Sequence, residues 1–322
     1  MRKWIGMALG FIGVVVMIGL LIAGNYLYNE SVKRGTEVEL YRGDEEAAPA
    51  GASLTTDTED SVVSEAERWF DQQEMSILEQ TSFDNLLLRA AFINNENSNG
   101  KAVILAHGFR KQKEDMKDLA YFYYQQGFDI LLPDTRGHGE SEGNYIGYGW
   151  HDRLDYLNWI DRLIHDYKSE SIFLHGQSMG AALVLMVSGE KLPNEVKGII
   201  ADSGYTSVKE ELAYQLKHIY GLPSFPLLNI TSVITKVRSG YFFGEASAID
   251  QVENNTRPLL IIHGEKDELV PTEMAHTIYE TAGGEKMLWT VPNAGHIQSY
   301  NTQPQQFEKK LKEFITNVLH KK

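Results

Sequence analysis

The 322 residues carry 44 acidic against 30 basic side chains, and a net charge of −14 argues against nucleic acid and strongly anionic polymers as partners. Cysteine is absent, which excludes both a disulfide framework and the acylated cysteine of a lipoprotein. There is no metal-ligand spacing, phosphate loop or dinucleotide fingerprint, so neither metal nor cofactor is implied.

Met1-Arg2-Lys3 is followed by an uncharged run from Trp4 to Asn29, strongly apolar from Ile5 to Ala23. About twenty such residues cross the hydrocarbon layer as a helix. The run is longer than the apolar part of a cleaved signal peptide, and Leu21-Ile22-Ala23-Gly24 is a poor cleavage match. Residues 1–29 therefore read as an uncleaved single-pass signal anchor, with a cleaved signal peptide as the alternative. Arg2 and Lys3 favour a cytoplasmic N-terminus and an extracytoplasmic domain. Residues 30–63, rich in small and acidic side chains, read as a flexible linker, and 64–322 as one domain.

Within the domain, Ser64 to Gln73 suggests a lead-in helix. Met75 to Glu79 and Leu86 to Phe92 suggest two strands joined by a turn at Phe83-Asp84-Asn85. Lys101 to Ala106 is a buried-strand pattern running into His107-Gly108-Phe109-Arg110. Strand Ile130 to Pro133 leads to a turn rich in glycine and charge, Asp134 to Ser141, which is expected to be structural, with no catalytic role for Arg136 or His138. Strand Ser171 to His175 is followed by Gly176-Gln177-Ser178-Met179-Gly180 and then by the apolar helical run Ala181 to Val187. Gly-x-Ser-x-Gly between a strand and a helix lifts a serine hydroxyl out of the fold on a strained turn.

Strand Gly198 to Ala201 ends at Asp202. About fifty residues separate it from the next strand, too many for a simple crossover, so about 208–256 reads as a small helical lid. In it, Tyr214, Tyr220, Phe225, Tyr241, Phe242 and Phe243 either line an apolar pocket or pack the lid on the core. Strand Leu259 to His263 leads to Asp267, strand Met287 to Val291 leads to His296, and 303–320 forms a closing amphipathic helix. Strands alternating with helices imply a mostly parallel sheet covered on both faces. Ser178, Asp267 and His296 then fall at one end of it.

A serine hydroxyl needs a base to take its proton and an acid to hold that base. His296 and Asp267 fit those roles, with Asp202 as the alternative acid. His107, His175 and His263 each end a strand and are expected to pack or hydrogen-bond near the site. The ordered set His107-Gly108-Phe109, Asp134 to Ser141, Gly176 to Gly180, Gly264-Glu265-Lys266-Asp267 and Gly295-His296 resembles the α/β-hydrolase superfamily, and within it the bacterial serine aminopeptidase-like group. The resemblance implies an eight-stranded α/β-hydrolase fold with a small lid, preceded here by one transmembrane helix. It also implies a Ser178–His296–Asp267 triad and an oxyanion hole from the N–H groups of Met179 and Phe109. Relatives with aspartate at the nucleophile position are dehalogenases or epoxide hydrolases, and Ser178 argues against both. The expected substrate is a small-molecule carboxylic ester. Peptidase or amidase activity is the alternative, and a non-catalytic binding module on the same scaffold is the alternative of another class.

Overall fold

The computed structural model describes residues 2–35 and 59–321. Most of the predicted linker, 36–58, lies outside the described residues. Eight strands form one sheet in the order β1-β2-β4-β3-β5-β6-β7-β8. They are β1 Ser76–Thr81, β2 Leu87–Ile93, β3 Lys101–Ala106, β4 Asp129–Pro133, β5 Ser171–Gln177, β6 Val196–Asp202, β7 Leu259–Gly264 and β8 Lys286–Val291. β1 and β2 run antiparallel to their neighbours, and β3 to β8 are mutually parallel. This is the α/β-hydrolase fold that the sequence implies.

The central strands are apolar and buried almost throughout, as befits a parallel sheet covered on both faces. The helices are α1 Arg2–Ser31, α2 Glu59–Asp71, α3 Lys117–Gln125, α4 Asp152–His165, α5 Met179–Ser188, α6 Val208–His218, α7 Leu227–Ser239, α8 Ala248–Val252, α9 Thr272–Thr281, α10 Ser299–Thr302 and α11 Pro304–His320. One face of the sheet is covered by α4, α5, α8 and α9, the other by α2, α3 and α11. All ten residues of α5 are buried, which explains why it is apolar all round. α11 buries only the stripe Phe307, Leu311, Phe314 and Ile315.

α1 is long and apolar enough to cross a membrane, with a mean hydropathy of 2.7 in its most apolar window. From Lys3 to Gly19 it is wholly exposed, whereas its last turns pack on α7. A Cβ on Gly24 would lie 2.9 Å from Ile230 Cγ2, so glycine sets the closeness of that approach. The chain stays docked beyond the helix. Ile146 N–H donates to Val32 O (2.7 Å) and Arg34 N–H to Asn144 O (3.0 Å).

Candidate active site

β5 ends at Gln177, and α5 begins at Met179. Ser178 between them has φ 54° and ψ −116°, a left-handed conformation unusual for a residue with a Cβ. The turn is tight because both flanking glycines are required. A Cβ on Gly176 would sit 2.0 Å from Gly180 O, and one on Gly180 would sit 2.0 Å from Ala106 O.

The loops after β7 and β8 bring the other two residues to this turn. His296 Nε2 lies 2.8 Å from Ser178 Oγ, and His296 Nδ1 lies 2.7 Å from Asp267 Oδ2. Asp267 Oδ1 accepts the N–H groups of Leu269 (3.0 Å) and Val270 (2.8 Å). Oδ2 also faces His263 Nε2 at 3.2 Å. Burial alone would raise the Asp267 pKa, but hydrogen bonds with His263 and His296 outweigh it and hold the carboxyl at about 2. Asp202, the alternative acid, makes no hydrogen bond to His296. It accepts from Gln177 Nε2 (3.3 Å) and Ser203 Oγ (3.2 Å), and burial pushes it up to about 6.

Met179 is buried as the first residue of α5, where its N–H has no intrahelical partner. Phe109 follows Gly108, whose backbone lies against Ser178: a Cβ there would be 3.6 Å from Ser178 Cβ. This 107–110 loop is braced by two buried histidines. Thr135 N–H donates to His107 Nε2 (3.0 Å), which leaves the His107 proton on Nδ1, 2.8 Å from Gly108 O. Arg110 N–H donates to His138 Nε2 (3.1 Å). Burial lowers both pKa values, that of His138 to about 3, so each ring is neutral. Arg136 is fully buried and forks onto Asp155 (2.7–2.9 Å) and onto Asp84 (2.9 Å). The 134–141 loop thus supports the site from behind. His175 packs against Tyr123, whose hydroxyl lies 3.1 Å from its Nδ1.

The sequence pattern does not single out Ser203. Its Oγ accepts from the N–H of Ile297 (3.1 Å), the residue after His296, and so ties the histidine loop to the end of β6. A recess of about 90 Å3 opens beside Ser178, lined by Gly108, Lys111, Met116, Gln177 and Ile297 among others.

The arrangement is a relay of hydrogen bonds between a strained serine, an imidazole and a buried carboxylate. The model of the family described as "Serine aminopeptidase, S33" matches residues 97–237. An uncharacterized Bacillus subtilis protein, YqkD, is 31% identical over 218 residues, 67% of this chain and 71% of that protein. A thermostable monoacylglycerol lipase of a Bacillus species is 24% identical over 67% of this chain and 91% of the lipase. Among solved structures, an esterase of Pyrococcus furiosus aligns with a TM-score of 0.63 at 25% identity, covering 84% of this chain and 97% of that one.

Proposed function

The chain belongs to the α/β-hydrolase superfamily, and from that premise we propose that it is a membrane-anchored serine hydrolase that cleaves carboxylic esters. The observation that carries this is the unbroken path from Ser178 Oγ through His296 to Asp267 Oδ2, at 2.8 and 2.7 Å. Because Asp267 stays ionised, it holds the His296 proton on Nδ1 and leaves Nε2 free to accept the serine proton. Ser178 Oγ then attacks the acyl carbon as His296 Nε2 takes its proton. The N–H groups of Met179 and Phe109 receive the negative oxygen. The C–O bond breaks as the leaving alkoxide oxygen takes that proton from His296 and departs as the alcohol. Water, deprotonated by the same nitrogen, releases the acid and restores Ser178.

An ester substrate is supported by the esterase and lipase among the similar proteins. The family description favours a second reading, an aminopeptidase-like amide hydrolase. Turnover of an ester and an aminoacyl amide sharing one acyl group separates the two. The length and apolarity of α1, with Arg2 and Lys3 in its first turn, support a single-pass anchor in the cell membrane with the domain on the extracytoplasmic side.

The test is fluorophosphonate labelling of the full chain in detergent, read by intact mass. One adduct is expected on the wild type and none on Ser178→Ala. Ester turnover is expected to fall by about 10⁴-fold or more in Ser178→Ala and in His296→Ala. Near-normal turnover in Ser178→Ala rejects the mechanism, and a folded wild type that takes no label favours a non-catalytic role.

A further inference from the structure

We propose that the tip of the lid, residues 219–227, lies in the interfacial layer of the bilayer that α1 crosses, so that the domain meets the membrane through two elements. This rests on the reading of α1 as a span. A helix rises 1.5 Å per residue, and a hydrocarbon layer of about 30 Å takes about 20 residues. Counted from Trp4, the first residue after the charged pair Arg2-Lys3, such a span ends near Ala23. The lid meets α1 at that same level. Ala23, Tyr26 and Leu27 share an apolar recess of about 150 Å3 with Leu216, Tyr220, Leu222 and Leu227, and Gly24 packs on Ile230. Ending the span before this contact, at Gly19, would leave about 24 Å of helix and draw Lys3 toward the hydrocarbon. The span and the lid contact therefore overlap in depth.

The surface of the lid matches that depth. Ile219, Leu222 and Phe225 are 41%, 44% and 74% exposed, on the segment joining α6 to α7. No charged residue occurs between His218 and Lys236, and no Asp or Glu between Leu212 and Phe243, in a chain of net charge −14. Lys217, Lys236 and Arg238 flank this uncharged stretch, Lys236 paired with Glu245 at 3.0 Å, so charge returns on both sides of the apolar tip. α7 runs parallel to α1, with Gly24 against Ile230 and Tyr28 Oη 3.0 Å from Ser239 Oγ. Depth therefore decreases along α7, and Val237, though 81% exposed, lies on the aqueous side of the tip.

The absence of cysteine makes the test clean, because each introduced thiol is unique. Nitroxide labels are attached to the full chain through Phe225→Cys, Val15→Cys in mid-span, Val237→Cys, and Asn317→Cys, exposed on α11 on the other face of the sheet. Each protein is reconstituted in phosphatidylcholine–phosphatidylglycerol vesicles. Power saturation compares collision with oxygen, which concentrates in the bilayer, and with a water-soluble nickel chelate. The expected result is an oxygen preference at 225 of the same sign as at 15, the opposite sign at 317, and a shallower value at 237 than at 225. A nickel preference at 225 beside an oxygen preference at 15 overturns the proposal and leaves the anchor standing. A nickel preference at 15 removes the anchor reading and the proposal with it. Shielding at 225 from both agents means that protein covers the tip, such as a second copy of this chain, and also overturns the proposal.

Discussion

Two buried carboxylates, Asp202 at the end of β6 and Asp267 in the loop after the neighbouring β7, differ in their hydrogen bonding. Asp267 is held at about 2 by its histidine partners, whereas burial pushes Asp202 up to about 6. Asp267→Asn should therefore lower kcat by about 10⁴-fold, because an amide cannot hold the His296 proton on Nδ1. Asp202→Asn should change kcat by less than about tenfold. Steady-state ester hydrolysis by the two variants decides this, and the reverse ranking would reassign the acid. Ser203→Ala removes the acceptor for Ile297 N–H. With one hydrogen bond worth about 1 kcal/mol, a severalfold fall in kcat is expected if that bond fixes the His296 loop, with unchanged kcat the contrary result. That Ser178, His296 and Asp267 meet at one place was legible in the sequence, because each follows a short apolar strand pattern and the resembled family order is Ser, Asp, His. Ser203 was not, because its partner is 94 residues away. Nor was the 3.2 Å contact of His263 with Asp267, since a strand-ending histidine carries no mark of the partner that a folded loop will bring.

At the level of elements, the end of α1 and the loop 107–110 are joined. The last carbonyls of a helix lack intrahelical partners. Here the Arg110 guanidinium donates to Glu30 O, and Tyr148 Oη donates to Ser31 O at 2.6 Å. The Phe109 ring stacks on Tyr148 with centroids 5.4 Å apart. Arg110 and Tyr148 both have positive φ, 54° and 52°, a conformation that side-chain-bearing residues keep only when their surroundings hold it. Removing residues 1–35 should therefore lower kcat and the rate of fluorophosphonate labelling by roughly 10-fold, the equivalent of one or two lost hydrogen bonds. Arg110→Met in the full chain should shift both in the same direction while KM moves less. Equal rates for the shortened and full chains would show that α1 serves only as a tether. The strands, α5 and the closing helix α11 were legible from apolar runs and periodicity, to within two residues at their ends, whereas α2 begins five residues before its expected start. The docking of Val32 and Arg34 onto residues 144–146 was not, because a short polar segment has the composition of a linker whether or not its backbone finds partners far along the chain.

At the scale of the whole molecule, buried carboxyl groups set opposing pH dependences. Asp267 is held below its ordinary value, so its contribution to stability is present above about pH 4 and is lost as pH falls through about 2. Glu211 in α6 behaves in the opposite way. Burial pushes it from an ordinary 4.5 up to about 8, against a hydrogen bond from Gln215 that favours the charged form. Its place in the first turn of α6 also favours the charge, by about 0.3–1 kcal/mol, too little to offset loss of solvent. The folded chain therefore retains a proton that the unfolded chain releases between pH 4.5 and 8, and stability declines as pH rises through that window. Glu211→Gln removes the titration and keeps the shape. Chemical denaturation of the wild type and Glu211→Gln should give similar stabilities at pH 5 and diverge above it. By pH 9 the variant should be the more stable, by on the order of a few kcal/mol. Parallel curves from pH 5 to pH 9 would mean that Glu211 keeps a near-ordinary pKa in the folded protein and that solvent reaches it beneath the lid.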